Sequence, residues 1–274
     1  MELQKNLPAI RKRGLGLVAV SYDSPEVLRT FAVRKGIAFP MLSDPDSKVI
    51  RSYGLLNTTV AEKTPQFGIP YPGTFILDPS GTVKAKYFEA DFRERYAASD
   101  ILVREFGDKP GAPASAVETK HLRLTPSSSE TTVHWGQRIA LVLDIDLKPG
   151  MHVYAPEVKG YIPVQWSMTA SPAFHAYPPV WPSARNLYLK AIQETVPVYK
   201  GRFRVVAEIT IGTDTQVKPL LNQNSDLIVE NSFRYQACDD RECYLPQTIP
   251  LKWVLHYADL DRQRAPPELQ HKAP

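Results

Sequence analysis

Cysteine is the residue type in this chain with the clearest capacity for chemistry. The chain has two, Cys238 and Cys243, in the run ACDDRECYLP at residues 237–246. A pair at Cys-x4-Cys spacing can cycle between dithiol and disulfide, close an inert bridge, or supply half of a metal site. A strand-like segment ends at Cys238 and another begins at Cys243, so a hairpin can hold their Cα atoms at bridging distance. So short a loop removes only about 2 kcal/mol of chain entropy, whereas a bridge placed for stability is expected to close a much longer one. Asp239, Asp240, Arg241 and Glu242 separate the pair and mark an exposed turn, and an exposed, tight disulfide is the kind that exchanges. Arg241 favours a thiolate beside it, and the three carboxylates oppose one. A structural zinc needs four ligands. Here the nearby histidine is His256, there is no second cysteine pair, and the six histidines are dispersed. The leading expectation is a redox-active pair without metal or cofactor. The alternative is a non-catalytic adaptor or binding module with a structural disulfide.

The segments that must position this pair change character along the chain. Residues 2–13 carry Leu3, Leu7 and Ile10 at helical spacing, with basic residues at the C-terminal end and Gly14 as a stop. Residues 15–20 read as a short buried strand. Ser24-Pro25-Glu26 opens a helix that closes near Gly36, and residues 45–53 read as a third. Asp44 and Asp46 in this stretch read as capping and turn residues. Residues 74–77 and 83–88 flank Asp78-Pro-Ser-Gly81 as a β-hairpin, and residues 91–106 read as a last helix. The layout is α/β.

Residues 108–117 are small and Pro-rich, which predicts a linker. Beyond them, alternating segments at 121–124, 138–146, 164–168, 203–211, 227–235 and 248–256 predict an all-β sandwich. The expected organisation is therefore an α/β domain at 1–107, a linker at 108–117, a sandwich at 118–258 and a flexible tail at 259–274.

Composition excludes several classes. The 274 residues, 43% hydrophobic and 23% charged, suit one large domain or two of roughly 100–150 residues. Up to Lys109 there are 16 basic residues against 13 acidic, and beyond it 17 against 16. Neither half has the basic excess that nucleic-acid binding requires, so no nucleic-acid partner is expected. The longest apolar run, residues 15–20, falls far short of the roughly 20 residues that span a bilayer. Residues 1–14 have no apolar core of a signal peptide, which sets cytoplasm as the default. Gly14-Leu-Gly-Leu-Val-Ala19 resembles a dinucleotide fingerprint but follows a helix and opens a strand, the reverse of the required order.

Residues 20–57, VSYDSPEVLRTFAVRKGIAFPMLSDPDSKVIRSYGLLN, and residues 71–81, YPGTFILDPSG, resemble the AhpC/TSA peroxiredoxin family over about residues 1–106. That resemblance implies a thioredoxin-like fold. It also implies a peroxidatic cysteine at the start of the helix preceding Val20 and a central strand before it. The chain begins inside that helix, and no cysteine precedes position 238. We therefore expect the natural start to lie upstream, the first domain to lack its first strand and active-site turn, and no peroxidase activity from these residues.

Tyr235-Gln-Ala-Cys-Asp-Asp-Arg-Glu-Cys-Tyr-Leu-Pro, continuing through Leu251 and Trp253, resembles the N-terminal domain of the thiol:disulfide interchange protein DsbD over about residues 117–257. The resemblance implies an immunoglobulin-like sandwich, a periplasmic setting, and a cysteine pair that passes electrons to a thioredoxin-like or peroxiredoxin thiol protein. His152-Val-Tyr154 matches the family's active-site aromatics, with Tyr154 as the second. Residues 194–201 match its capping loop, which implies that Tyr199 covers the disulfide. Arg241 is expected to support it.

Overall fold

The computed structural model describes residues 2–64, 67–88, 94–108, 115–189, 193–261, 263 and 266–269. Most of the expected linker, the first residues of the expected 91–106 helix and half of the expected tail lie outside these. The chain divides into two compact units, residues 1–102 with 260–274, and residues 103–259.

The first unit is α/β: α1 (Glu2–Lys12), β1 (Ala19–Ser21), α2 (Pro25–Lys35), β2 (Met41–Ser43), α3 (Lys48–Ser52), β3 (Gly73–Leu77), β4 (Val83–Phe88) and β5 (Arg95–Tyr96). The unit boundary falls within α4 (Ala98–Phe106). α2 forms as its end residues dictate. Ser24 accepts a hydrogen bond from the Val27 amide at 3.3 Å, Pro25 opens the first turn, and Gly36 closes the helix at φ 60°. The Asp44 carboxylate caps α3, accepting from the Lys48 and Ile50 amides at 3.0 and 2.9 Å. α3 is shorter than the expected 45–53. Part of the expected 91–106 helix is instead β5, and α4 starts only at Ala98.

β1 lies at the end of its expected range and pairs in parallel with β2, Val20 opposite Leu42. β3 and β4 form the expected hairpin, its turn tied by the Asp78 carboxylate, which accepts from the Ser80 and Thr82 amides. These are separate two-stranded ladders, and Val18, Val20 and Leu42 are about half exposed. Of the expected flexible tail, Asp261 pairs with Lys35, and the Gln263 carbonyl accepts from Arg34 at 3.3 Å.

The second unit is almost wholly β: β6 (Val117–Glu118), β7 (Leu122–Ser128), β8 (Thr132–Val133), β9 (Gln137–Leu147), β10 (His152–Tyr154), β11 (Gln165–Met168), β12 (Phe174–Ala176), β13 (Arg185–Leu189), β14 (Glu194–Lys200), β15 (Arg202–Ile211), β16 (Asp226–Tyr235), β17 (Ala237–Cys238) and β18 (Gln247–Tyr257), with α5 (Asp214–Val217) between β15 and β16. Three sheets carry the orders β12-β15-β9-β7-β6, β11-β16-β18-β8 and β13-β14-β10-β17.

Strand alternation builds the core. Ile249, Leu251, Trp253, Leu255 and Tyr257 of β18 are buried while the residues between them are exposed, and Leu227, Val229, Phe233 and Tyr235 of β16 face inward with them. Trp253 stacks on Trp166 at 5.8 Å and donates its indole N–H to the Ser127 carbonyl at 2.8 Å, so its polar atom is paired despite full burial. The six strands expected in this half are all present, with ends shifted by a few residues. β14 stands where the resemblance implies a capping loop at 194–201, and it is a strand although Pro197 sits within it. Proline removes a ladder donor and ordinarily argues against a strand flanked on both sides.

Candidate functional site

The third sheet carries the cysteines. β10 runs between β14 and β17, with His152 opposite Lys200 and Cys238, Val153 opposite Tyr199 and Ala237, and Tyr154 opposite Val198. Opposed residues share a face and successive residues alternate, so His152, Tyr154, Val198 and Cys238 lie on one side of the sheet. Val196 lies there too, and Tyr154, Val196, Val198 and Cys238 form one buried apolar cluster against which Val158, Tyr161, Leu187 and Leu189 pack.

The cysteines close a hairpin whose loop is Asp240-Arg241. The Tyr244 amide donates to the Ala237 carbonyl at 2.8 Å, and the Asp239 amide to the Glu242 carbonyl at 3.0 Å. Cys238 and Cys243 face each other between these bonds, where antiparallel strands approach most closely. Their Cα atoms are 4.0 Å apart, and a disulfide joins them. Asp239 organises the turn: its carboxylate accepts from the Arg241 and Glu242 amides at 2.7 and 2.9 Å and from the Tyr244 hydroxyl at 2.9 Å. The two amides, then the phenol, hold its carboxyl below the usual carboxylate range.

The two cysteines are unequal. Cys238 is buried at 1% exposure, whereas Cys243 is exposed. The Tyr154 hydroxyl lies 3.7 Å from the Cys243 sulfur and 3.8 Å from that of Cys238. The Tyr161 ring stacks on Tyr154 at 4.5 Å and its hydroxyl donates to Glu194 at 2.7 Å. That hydrogen bond pushes the Tyr161 phenol up to about 12, and burial, then the Glu194 charge, raises Tyr154. Both phenols therefore remain protonated donors at neutral pH.

Of the side chains anticipated for the site, the structure brings together Cys238, Cys243 and Tyr154. Arg241 is in the hairpin loop, where its charge acts on Asp239. Tyr199 is not brought to the disulfide: it lies one residue off the register of Val198 and so on the opposite face. There it stacks on Phe203 at 4.5 Å and donates to the Pro182 carbonyl at 2.9 Å. Residues 194–200, expected as a capping loop, are strand β14. Tyr161 and Glu194 are not among the expected contributors, and His152 enters the expectation only as the first residue of the matched His152-Val-Tyr154 segment. For His152 and Glu194 the available signal was two-residue spacing, from Tyr154 and from Val196. For Tyr161, in a loop, there was none.

Residues 1–86 match the AhpC/TSA family. Residues 123–252 match the N-terminal domain of thiol:disulfide interchange protein DsbD. The chain thus carries a match to each of two families, one in either half. A Mycobacterium tuberculosis protein that bears the name of a peroxiredoxin is 36% identical over 83 residues, 30% of this chain and 52% of that protein. Alkyl hydroperoxide reductase E of Mycobacterium bovis is 32% identical over 85 residues, 30% of this chain and 51% of its own. The chain spans about half the length of these relatives. Among solved structures, the N-terminal periplasmic domain of ScsB from Proteus mirabilis is similar at TM-score 0.35 and 12% identity, covering 53% of this chain and 50% of that one. The DsbD N-terminal domain of Neisseria meningitidis is similar at TM-score 0.27 and 10% identity, covering 41% and 74%. The two family matches, with an α/β first unit and an almost wholly β second one, give a thioredoxin-like start followed by a mostly β domain that resembles the immunoglobulin-like DsbD N-terminal fold. Among the described residues no helix is long and apolar enough to cross a membrane.

Proposed function

We propose that the Cys238–Cys243 pair exchanges electrons with a cysteine of a thioredoxin-like or peroxiredoxin protein. The observation that carries this reading is the asymmetry of the disulfide: Cys243 is an exposed residue, Cys238 a buried one, and the Tyr154 hydroxyl is within reach of both sulfurs. An incoming thiolate attacks the Cys243 sulfur, the Cys238–Cys243 bond breaks, and its electron pair goes to Cys238. The partner's second thiol then displaces Cys243 from the mixed disulfide. The partner leaves as a disulfide, and the pair holds the two electrons and two protons; the reverse sequence reduces a partner disulfide. Tyr154 is within reach of either sulfur as charge develops there, which is when a hydrogen bond contributes most. Residues 1–86 hold no cysteine, so we assign them docking rather than thiol chemistry. We retain residues 108–117 as the proposed linker between the two domains, since a tether raises the effective concentration of a partner thiol.

Single substitutions test this order. In Cys238→Ser, the free Cys243 captures a partner disulfide as a mixed disulfide that accumulates because nothing resolves it. In Cys243→Ser, capture falls because the remaining thiol is buried. Mass spectrometry of the trapped species reads both outcomes. Equal capture by the two variants contradicts the assignment.

A further inference from the structure

His152 is 1% exposed and directly opposite Cys238 across β10 and β17. Opposed residues of an antiparallel pair hold their Cβ atoms roughly 4.5–5.5 Å apart on one face. Tyr154 reaches both sulfurs on that same face, its ring edge-on to His152 at 5.7 Å between centroids. Neither ring nitrogen of His152 has a hydrogen-bond partner among the described residues. Buried polar atoms in native folds are nearly always paired, so an unpaired imidazole beside a disulfide points to a partner that the other redox state supplies. A disulfide sulfur has no proton to give. A thiol has one, and the thiolate it leaves is a strong acceptor.

The charged and titratable groups around the ring are Lys200 opposite it on β14, Asp239 and Asp240 in the turn, and Tyr154 on its own strand. Burial, then Lys200, pushes the imidazole below its ordinary value against the pull of the two aspartates. In the disulfide state the ring is therefore neutral at neutral pH, with a lone pair available.

Resting on the exchange reading above, we propose that His152 is the proton acceptor for Cys238 in the dithiol state. When the pair reduces a partner disulfide, Cys243 first forms the mixed disulfide. The Cys238 thiol then gives its proton to the His152 ring nitrogen and its thiolate attacks the Cys243 sulfur. The Cys238–Cys243 bond forms, the bond from Cys243 to the partner breaks, and the electron pair leaves on the partner's sulfur. The pair is oxidised, the partner's disulfide is the oxidant, and the imidazolium releases its proton to solvent.

The test uses the full chain carrying Cys243→Ser, so that Cys238 is its single thiol. Ultraviolet thiolate absorbance is followed against pH with His152 in place and with His152→Phe. With His152 in place the ionisation midpoint lies about one pH unit lower, and alkylation by iodoacetamide at neutral pH is roughly tenfold faster. Equal midpoints overturn the proposal. Should His152→Phe not fold, the ring nitrogen shifts of His152 in the unsubstituted chain are compared before and after reduction. A change of tautomer or protonation supports the proposal, and identical shifts overturn it. If midpoints or shifts move but no dithiol protein exchanges with the pair, the exchange reading falls and the His152–Cys238 coupling stands. If exchange proceeds with the same pH profile in His152→Phe, the proton assignment alone falls.

Discussion

At the residue scale, the proposed exchange gives the phenol that reaches both sulfurs a role that an inert clip would not need. A hydrogen bond to a charged group is worth about 1.5–3 kcal/mol. Tyr154 lies 3.8 Å from the sulfur proposed to leave as a thiolate, so Tyr154→Phe is expected to slow reduction of the pair by a small dithiol roughly tenfold or more. The ring and its stacking on Tyr161 are kept, so near-ultraviolet circular dichroism should be unchanged. An unchanged rate would assign the hydroxyl no part in exchange. The cysteine pair and its exposed turn were legible in the sequence because the four charges between the thiols leave little choice of environment. Tyr154 was legible only through the family resemblance. Tyr199 misled because a displacement of one residue along a strand moves a side chain to the opposite face, and spacing does not reveal register. The Tyr161–Glu194 hydrogen bond was not legible, since it joins segments 33 residues apart.

Elements were legible where one local pattern dominated. α2 carried both of its end signals, and β16 and β18 alternate cleanly enough that their inward residues follow from the sequence. β2, β10 and β17 have only two or three residues each, too few to show a period, and their existence depends on the neighbours they pair with. The core of the β domain belongs to the long strands. Trp253 is buried, stacked on Trp166 and hydrogen-bonded, so Trp253→Ala should destabilise the β domain by about 3–5 kcal/mol in urea unfolding. A cost below about 1 kcal/mol would mean that this stack does not organise the domain.

For the molecule as a whole, acid should act first on the β domain. Burial lowers the folded values of His121 and His152, with the Lys120 and Lys200 charges adding to it, from the ordinary 6.5. A lowered folded value means that the unfolded chain binds the extra protons. The contribution is thus present above 6.5 and is lost as pH falls from there through the lowered values. The urea midpoint should therefore drop between about pH 7.5 and pH 5.5, and a midpoint that rose over this range would contradict the burial of these imidazoles. Whether the chain works as a redox protein turns on the cysteine pair itself. Equilibrating the full chain in graded dithiol/disulfide buffers, trapping free thiols and reading the intact mass measures this most directly. The account predicts a midpoint at or above roughly −280 mV, among the exchangers, and a value below about −300 mV would make the disulfide a structural staple and contradict it.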